Sequence, residues 1–214
     1  MVSVHGVMSR CRHLATKTQR AARRMARRRR AMPELDGATK LHLGCGSNPI
    51  ADWANLDLAT APGVIKWDLI DPLPVADGAV KFVFTEHFIE HVDRAQGRAI
   101  INECHRVLEP GGILRVSTPD LKKLVEEYST GRLDEWLDVG FAPSSPCRLL
   151  NEGLRSWGHQ FVYDEEELGH LLTDAGFESF ARVPWHSSTY EDLRDLECRP
   201  YHGDLIFEAV KAGI

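Results

Sequence analysis

The sequence predicts an α/β domain built on a doubly wound, mainly parallel sheet. Short apolar or β-branched runs alternate along the chain with longer segments of helical period. The 214 residues suffice for one domain with appendages, a size that buries roughly 70% of the unfolded surface in a single core. The run Lys40-Leu41-His42-Leu43 ends in Gly44-Cys45-Gly46, and the next run, Trp53 to Leu58, ends in an acid, Asp57. Glycines after one strand and an acid at the tip of the next mark the ligand-binding edge of such a sheet.

The chain opens with a basic arm. Residues 1–32 hold ten of the 26 Lys and Arg and none of the 31 acids, so a net charge of −5 hides an arm of +10 on a body of about −15. Arginines interleaved with alanines from Arg10 to Arg30 have helical composition, but self-repulsion and the lack of an apolar stripe leave such a helix marginal. The arm reads as a flexible solvated segment, or as an upstream extension ahead of a later start at Met25 or Met32. Its charge would also suit RNA, an anionic membrane surface or the acidic body. An Arg-rich, acid-free stretch is the composition of a transit peptide too, though this one is poor in serine.

From Pro33 the composition turns globular, and residues 33–214 form the expected domain. Strands are expected near 40–44, 53–58, 63–68, 79–85, 112–118, 177–183 and 204–210, each a short apolar run bounded by turn residues. Helices fit 87–107, 119–129, about 147–156 and 164–175. The first carries an apolar stripe of Phe88, Val92, Ile100, Ile101, Cys104 and Val107, and Pro110-Gly111-Gly112 stops it. Between Gly46 and Trp53 there is room for barely one helical turn, whereas a parallel crossover usually takes a dozen or more residues. The first crossover helix is therefore expected to be vestigial.

Composition excludes several classes. Five cysteines, odd in number and without a Cys-x-x-Cys pair, argue for free thiols and against a cysteine-built zinc site. No run of about 18 apolar residues is present, and no apolar segment follows the N-terminal basic residues as in a secretory signal. An intracellular, cytoplasmic protein is the expectation.

Leu41-His42-Leu43-Gly44-Cys45-Gly46 and Asn55-Leu56-Asp57 are followed by Lys66-Trp67-Asp68-Leu69 and then Leu108-Glu109-Pro110-Gly111-Gly112-Ile113-Leu114. These four strings, in this order and spacing, resemble the class I S-adenosylmethionine-dependent methyltransferases, in particular small bacterial methyltransferase-domain proteins. The resemblance covers residues 38–118 and, more loosely, 157–211. It implies a Rossmann-like, mostly parallel seven-stranded sheet with an antiparallel last strand, and S-adenosyl-L-methionine as cofactor. It further implies that Gly44, Cys45 and Gly46 cradle the methionine moiety, that Asp57 and Leu58 hold the ribose, and that Asp68 and Leu69 read the adenine. Glu86, at the carboxyl end of the fourth strand, would stand at the cofactor boundary. Pro49 stands where an NAD-binding Gly-x-Gly-x-x-Gly motif has its third glycine, which makes a dehydrogenase the distant alternative.

Methyl transfer to a hydroxyl needs a positioned acceptor and removal of its proton. Histidine suits that task near neutrality, so His87 and His159 are the candidate bases, with capping and packing as their alternatives. His91, one helical turn beyond His87, is expected to be a hydrogen-bonded structural histidine. His87-Phe88-Ile89-Glu90-His91 also matches the H-x-x-E-H pattern of inverted zinc peptidases. No third ligand stands out downstream, so no metal ligand is assigned, although Asp120 and Glu90 would suit a divalent ion. Residues 130–163, with Trp136, Phe141, Arg148, Trp157 and Tyr163 in a poorly periodic stretch, suit a substrate lid. His186, Arg199, Tyr201 and His202 are given no role.

The expected function is methyl transfer to a small-molecule or glycan acceptor, at a hydroxyl because the stretch after the fourth strand reads Thr85-Glu86-His87-Phe88 rather than Asn/Asp-Pro-Pro-Tyr/Phe. The alternatives are an RNA methyltransferase anchored by the arm and a cofactor-binding protein without turnover.

Overall fold

The computed structural model describes residues 33–133, 143–200 and 203–213. Seven strands form one sheet in the order β3-β2-β1-β4-β5-β7-β6. They are β1 Lys40–Leu43, β2 Ala54–Asp57, β3 Val64–Lys66, β4 Val80–Glu86, β5 Leu108–Thr118, β6 Phe177–Arg182 and β7 Leu205–Lys211. β1 to β5 run parallel, and β7 enters antiparallel between β5 and β6. The strand order reverses between β1 and β4, the place where doubly wound sheets open a crevice at their carboxyl ends. No helix of the described residues is long and apolar enough to cross a membrane. The basic arm, Trp136 and Phe141 of the expected lid, Tyr201 and His202 lie outside the described residues.

Each helix starts where a side chain can satisfy its first free N–H groups. Helix α1, Arg94–Val107, is capped by Asp93, which accepts from Gln96 N while the Gln96 side chain accepts from Asp93 N. Asp120 caps α2, Leu121–Thr130, and Ser145 with Pro146 opens α3, Pro146–Arg155. Asp164 caps α4, Glu165–Asp174.

The helix expected over 87–107 therefore begins seven residues late, at Arg94. His87 has a left-handed φ of 49°, which no helix interior accepts, and only a 3-10 turn, Ile89–His91, precedes the cap. Its far end also differs. The chain passes straight from Val107 into β5, where Leu108 pairs with Val80. Glu109 to Gly112 then form an excursion before Ile113 pairs with Phe82. A side chain at Gly112 would stand 2.9 Å from Glu109 O.

Two cores flank the sheet. One face packs β1, β4, β5 and β7 against α1 and α4 through Val83, Leu114, Val116, Phe207, Ile101, Cys104, Leu168 and Leu172. Among the described residues no crossover helix covers the other face. Trp53, Phe82, Phe84 and Ile113 are covered there by Leu193, with Leu196 packed alongside, from the long β6–β7 connection. Arg115, fully buried on this face, ties that connection down: Nε reaches Glu197 at 2.6 Å, one Nη contacts its cross-strand neighbour Glu208, and the same nitrogen donates to Ser187 O at 2.9 Å.

Candidate functional site

The crevice at the carboxyl ends of β1 and β2 is held by hydrogen bonds. Gly44 and Gly46 both take left-handed φ, 71° and 56°, a conformation that costs glycine nothing. Gly46 N donates to Asp57 Oδ2 at 2.8 Å, and Ala59 N donates to Oδ1 at 2.7 Å. Each carboxylate oxygen keeps a second lone pair for a ligand hydroxyl. A Cβ on Gly44 would lie 2.6 Å from the Phe88 ring, so the backbone passes directly under that side chain. Cys45 is buried, and burial with nearby Asp57 pushes its thiol up to about 11.

The expected vestigial crossover is a polar clasp. Asn55 Nδ2 donates to Ile50 O and Trp53 O, while its Oδ1 accepts from Ile50 N. One buried amide thus replaces the helix as the fastening of residues 45–53.

The segment following β3 is fixed from α1. Arg106 donates to Leu73 O, Val75 O and Asp77, and Glu103 Oε2 accepts from Leu73 N at 2.8 Å. Asp68 closes an Asx turn on Ile70 N at 3.3 Å. Leu69 points into the core, whereas Leu58 and Ile70 expose apolar side chains beside Asp57 and Asp68. Any contribution of Leu69 to a ligand must come from its backbone.

Glu86 fastens the β6–β7 connection. Its buried carboxylate accepts from Cys198 N at 3.1 Å and Arg199 N at 2.9 Å, with the Cys198 thiol at 3.2 Å. By alternation along β4 the side chain lies on the Phe82–Phe84 face, where it anchors the β6–β7 connection.

The residue after it enters a different cluster. His87 lies between two carboxylates, with Nδ1 3.3 Å from Glu90 Oε1 and Nε2 3.3 Å from Asp204 Oδ2. Burial alone would lower its pKa, but Asp204 and Glu90 outweigh burial and push it up to about 10. Burial likewise works to raise the pKa of Glu90, and His87 reverses this and holds it below the ordinary range. Thr118 Oγ1 donates to Glu90 Oε2 at 3.1 Å. An imidazole whose two nitrogens both face carboxylates holds protons on both. His87 thus stands beside Glu90 with its charged form favoured.

His91 and His159 complete the cluster. Their Nε2 atoms each stand 4.0 Å from Glu90 Oε1, and their rings meet edge to face with centroids 5.0 Å apart. His91 is held neutral chiefly by burial, against the pull of Glu90. His159 Nδ1 lies 2.8 Å from Gly153 O and donates to it, which turns Nε2 toward Glu90. The pair reading of His87 and His91 on one helical face fails because the backbone there is not helical. Glu90 joins His91 to His159 instead, and sequence reading missed Asp204 and the hub role of Glu90. The H-x-x-E-H string did point to Glu90, while nothing in the sequence pairs it with Asp204.

Asp120 stands apart, capping Lys122 N and 3.4 Å from Arg182. The part of the lid region that the structure describes is firmer than the poor periodicity predicts. α3 packs on α2 through Leu149 and Leu124, and a Cβ at Gly153 would be 2.7 Å from Leu124 Cδ1. His186 is bonded to Glu197 O at 2.9 Å, within the β6–β7 connection.

A doubly wound sheet with its crevice at β1 and β2 defines a nucleotide-binding α/β domain. Residues 41–116 match the family described as methyltransferase domain. The chain is 36% identical over 193 residues to a probable S-adenosylmethionine-dependent methyltransferase of Mycolicibacterium smegmatis, covering 81% of this chain and 63% of that one. A second, from Mycobacterium tuberculosis, is 32% identical over 139 residues, 64% of this chain and 39% of its own length. The chain thus spans less than two thirds of either relative. In fold it is similar to phosphoethanolamine N-methyltransferase 2 of Haemonchus contortus, with a TM-score of 0.50 at 13% identity over 82% of this chain and 49% of that one. Residues 41–116 thus form a domain of the methyltransferase type, and the chain is similar to proteins described as probable S-adenosylmethionine-dependent methyltransferases.

Proposed function

We propose that the protein transfers a methyl group from S-adenosylmethionine to a hydroxyl of a small-molecule or glycan acceptor. The observation that carries this reading is Asp57, held by Gly46 N and Ala59 N with a lone pair to spare on each oxygen, at the mouth of a glycine-built turn. Backbone N–H groups of residues 44–46 would hold the methionine end, and Asp57 the ribose. The exposed apolar side chains of Leu58 and Ile70 would flank the adenine, with Asp68 and the Leu69 N–H at its polar edge. When bound, the cofactor supplies a methyl group activated on a sulfonium.

The chain's own part is positioning and proton removal. His87, fixed between Glu90 and Asp204, holds Glu90 in place. The imidazoles of His91 and His159 over Glu90 are then the groups to receive the acceptor's proton. The described cysteines are free thiols, in keeping with a cytoplasmic protein. An assay with methyl-labelled S-adenosylmethionine against matched hydroxyl and amine acceptors tests the reading. Label in a methyl ether is the expected product, and label only in amines or in RNA overturns it.

A further inference from the structure

We propose that Glu90, His91 and His159 form a binding site for one divalent transition-metal ion, with Zn²⁺ the ion their donor chemistry favours. One donor atom from each residue lies within 4.8 Å of the others, and both Nε2 atoms stand 4.0 Å from Oε1. Four-coordinate ligands on bonds of about 2.0–2.2 Å stand roughly 3.3–3.5 Å apart. The donor–donor separations therefore need to shrink by at most about 1.5 Å, a movement that side-chain torsions supply.

Two independent observations point to a ligand at this place. The first is Glu90 Oε1, which is completely buried and makes no aligned hydrogen bond. A buried carboxylate oxygen that accepts no aligned hydrogen bond is costly. His87 Nδ1 is 3.3 Å away but out of line, so lone-pair density of Oε1 stays open toward the two other rings. The second is the orientation of the His159 ring. With Nδ1 held 2.8 Å from Gly153 O, its Nε2 faces Oε1 across 4.0 Å. A backbone carbonyl on the far nitrogen is also how metal-binding histidines are oriented.

The backbone is arranged to bring the two segments together. Trp157 and Gly158 both take left-handed φ, 57° and 84°, and swing His159 toward Glu90. For a tryptophan that conformation costs energy. Gln160 N and Phe161 N both donate to Glu90 O, and Gln160 Nε2 donates to His91 O at 2.7 Å. Two imidazoles and one carboxylate, with a fourth position open, is the ligand set of a catalytic zinc site, and nitrogen donors disfavour Mg²⁺ and Ca²⁺. The exposed Trp157 indole stands beside His159. On the methyl-transfer reading, an ion here would acidify the acceptor hydroxyl by coordination, in place of proton transfer to an imidazole.

The test is ion binding, which is independent of turnover. The full chain is stripped with a chelator and titrated with Co²⁺, followed by its visible d–d absorption, and with Zn²⁺ by calorimetry. One ion per chain with the intense bands of a four-coordinate nitrogen–oxygen site is expected. His91→Ala, whose ring is partly exposed and so dispensable for folding, should weaken binding at least about 10-fold, as should His159→Ala. His170→Ala, on the exposed face of α4, should bind as wild type. Absence of a bound ion in the wild type, or unchanged binding in His91→Ala, overturns the site.

Discussion

The side-chain oxygen of Asn55 accepts the Nδ1–H of His42 at 3.1 Å, joining the centre of β1 to the clasp that replaces the first crossover helix. The tautomer follows from the neighbours, because the Asn55 amide nitrogen is already committed to Ile50 O and Trp53 O. His42 is buried against Phe84, with ring centroids 5.0 Å apart, and must stay neutral there. Burial takes its pKa down to about 4, with Asn55 and Asp57 opposing only in part.

That shift predicts a pH dependence of stability. Between pH 6.5 and about 4 the unfolded chain protonates this imidazole and the folded one does not. Above pH 6.5 the contribution is fully present, and it is lost as pH falls toward 4, by on the order of 3 kcal/mol from this group. Urea unfolding of the wild type against His42→Asn, at pH 7 and pH 4.5, checks it. The stability gap between the two proteins should narrow or reverse at the lower pH.

Arg115 makes a second prediction. Its guanidinium is fully buried between Glu197 and Glu208, and removing one member of such a group leaves charges uncompensated. Arg115→Met should destabilise the fold by about 3–5 kcal/mol. The triple change with Glu197→Gln and Glu208→Gln should recover much of that loss. Because Arg115 also holds Ser187 O, hydrogen exchange of residues 183–199 should rise in the single variant before the rest of the sheet is affected.

The strands were readable because each is a short apolar run between turn residues, and the crossover too short for a helix was visible in the distance from Gly46 to Trp53. The start of α1 was missed for a specific reason. An apolar stripe from Phe88 through Val92 to Ile100 continues across Asp93, and the capping pair Asp93–Gln96 ends it more decisively than periodicity suggests. At the site, the glycine turn and Asp57 follow from local spacing. The Glu90 cluster does not, since His159 reaches it only through the left-handed turn at Trp157 and Gly158, and Asp204 only through the placement of β7.

The central claim is that Asp57 and the glycine turn hold S-adenosylmethionine. Calorimetric titration of the cofactor into wild type and Asp57→Ala measures it directly. Loss of a hydrogen bond to a charged group should cost about 1.5–3 kcal/mol, a fall in affinity of roughly 10- to 150-fold. Wild-type affinity in the variant, or no binding to the wild-type protein, contradicts the account.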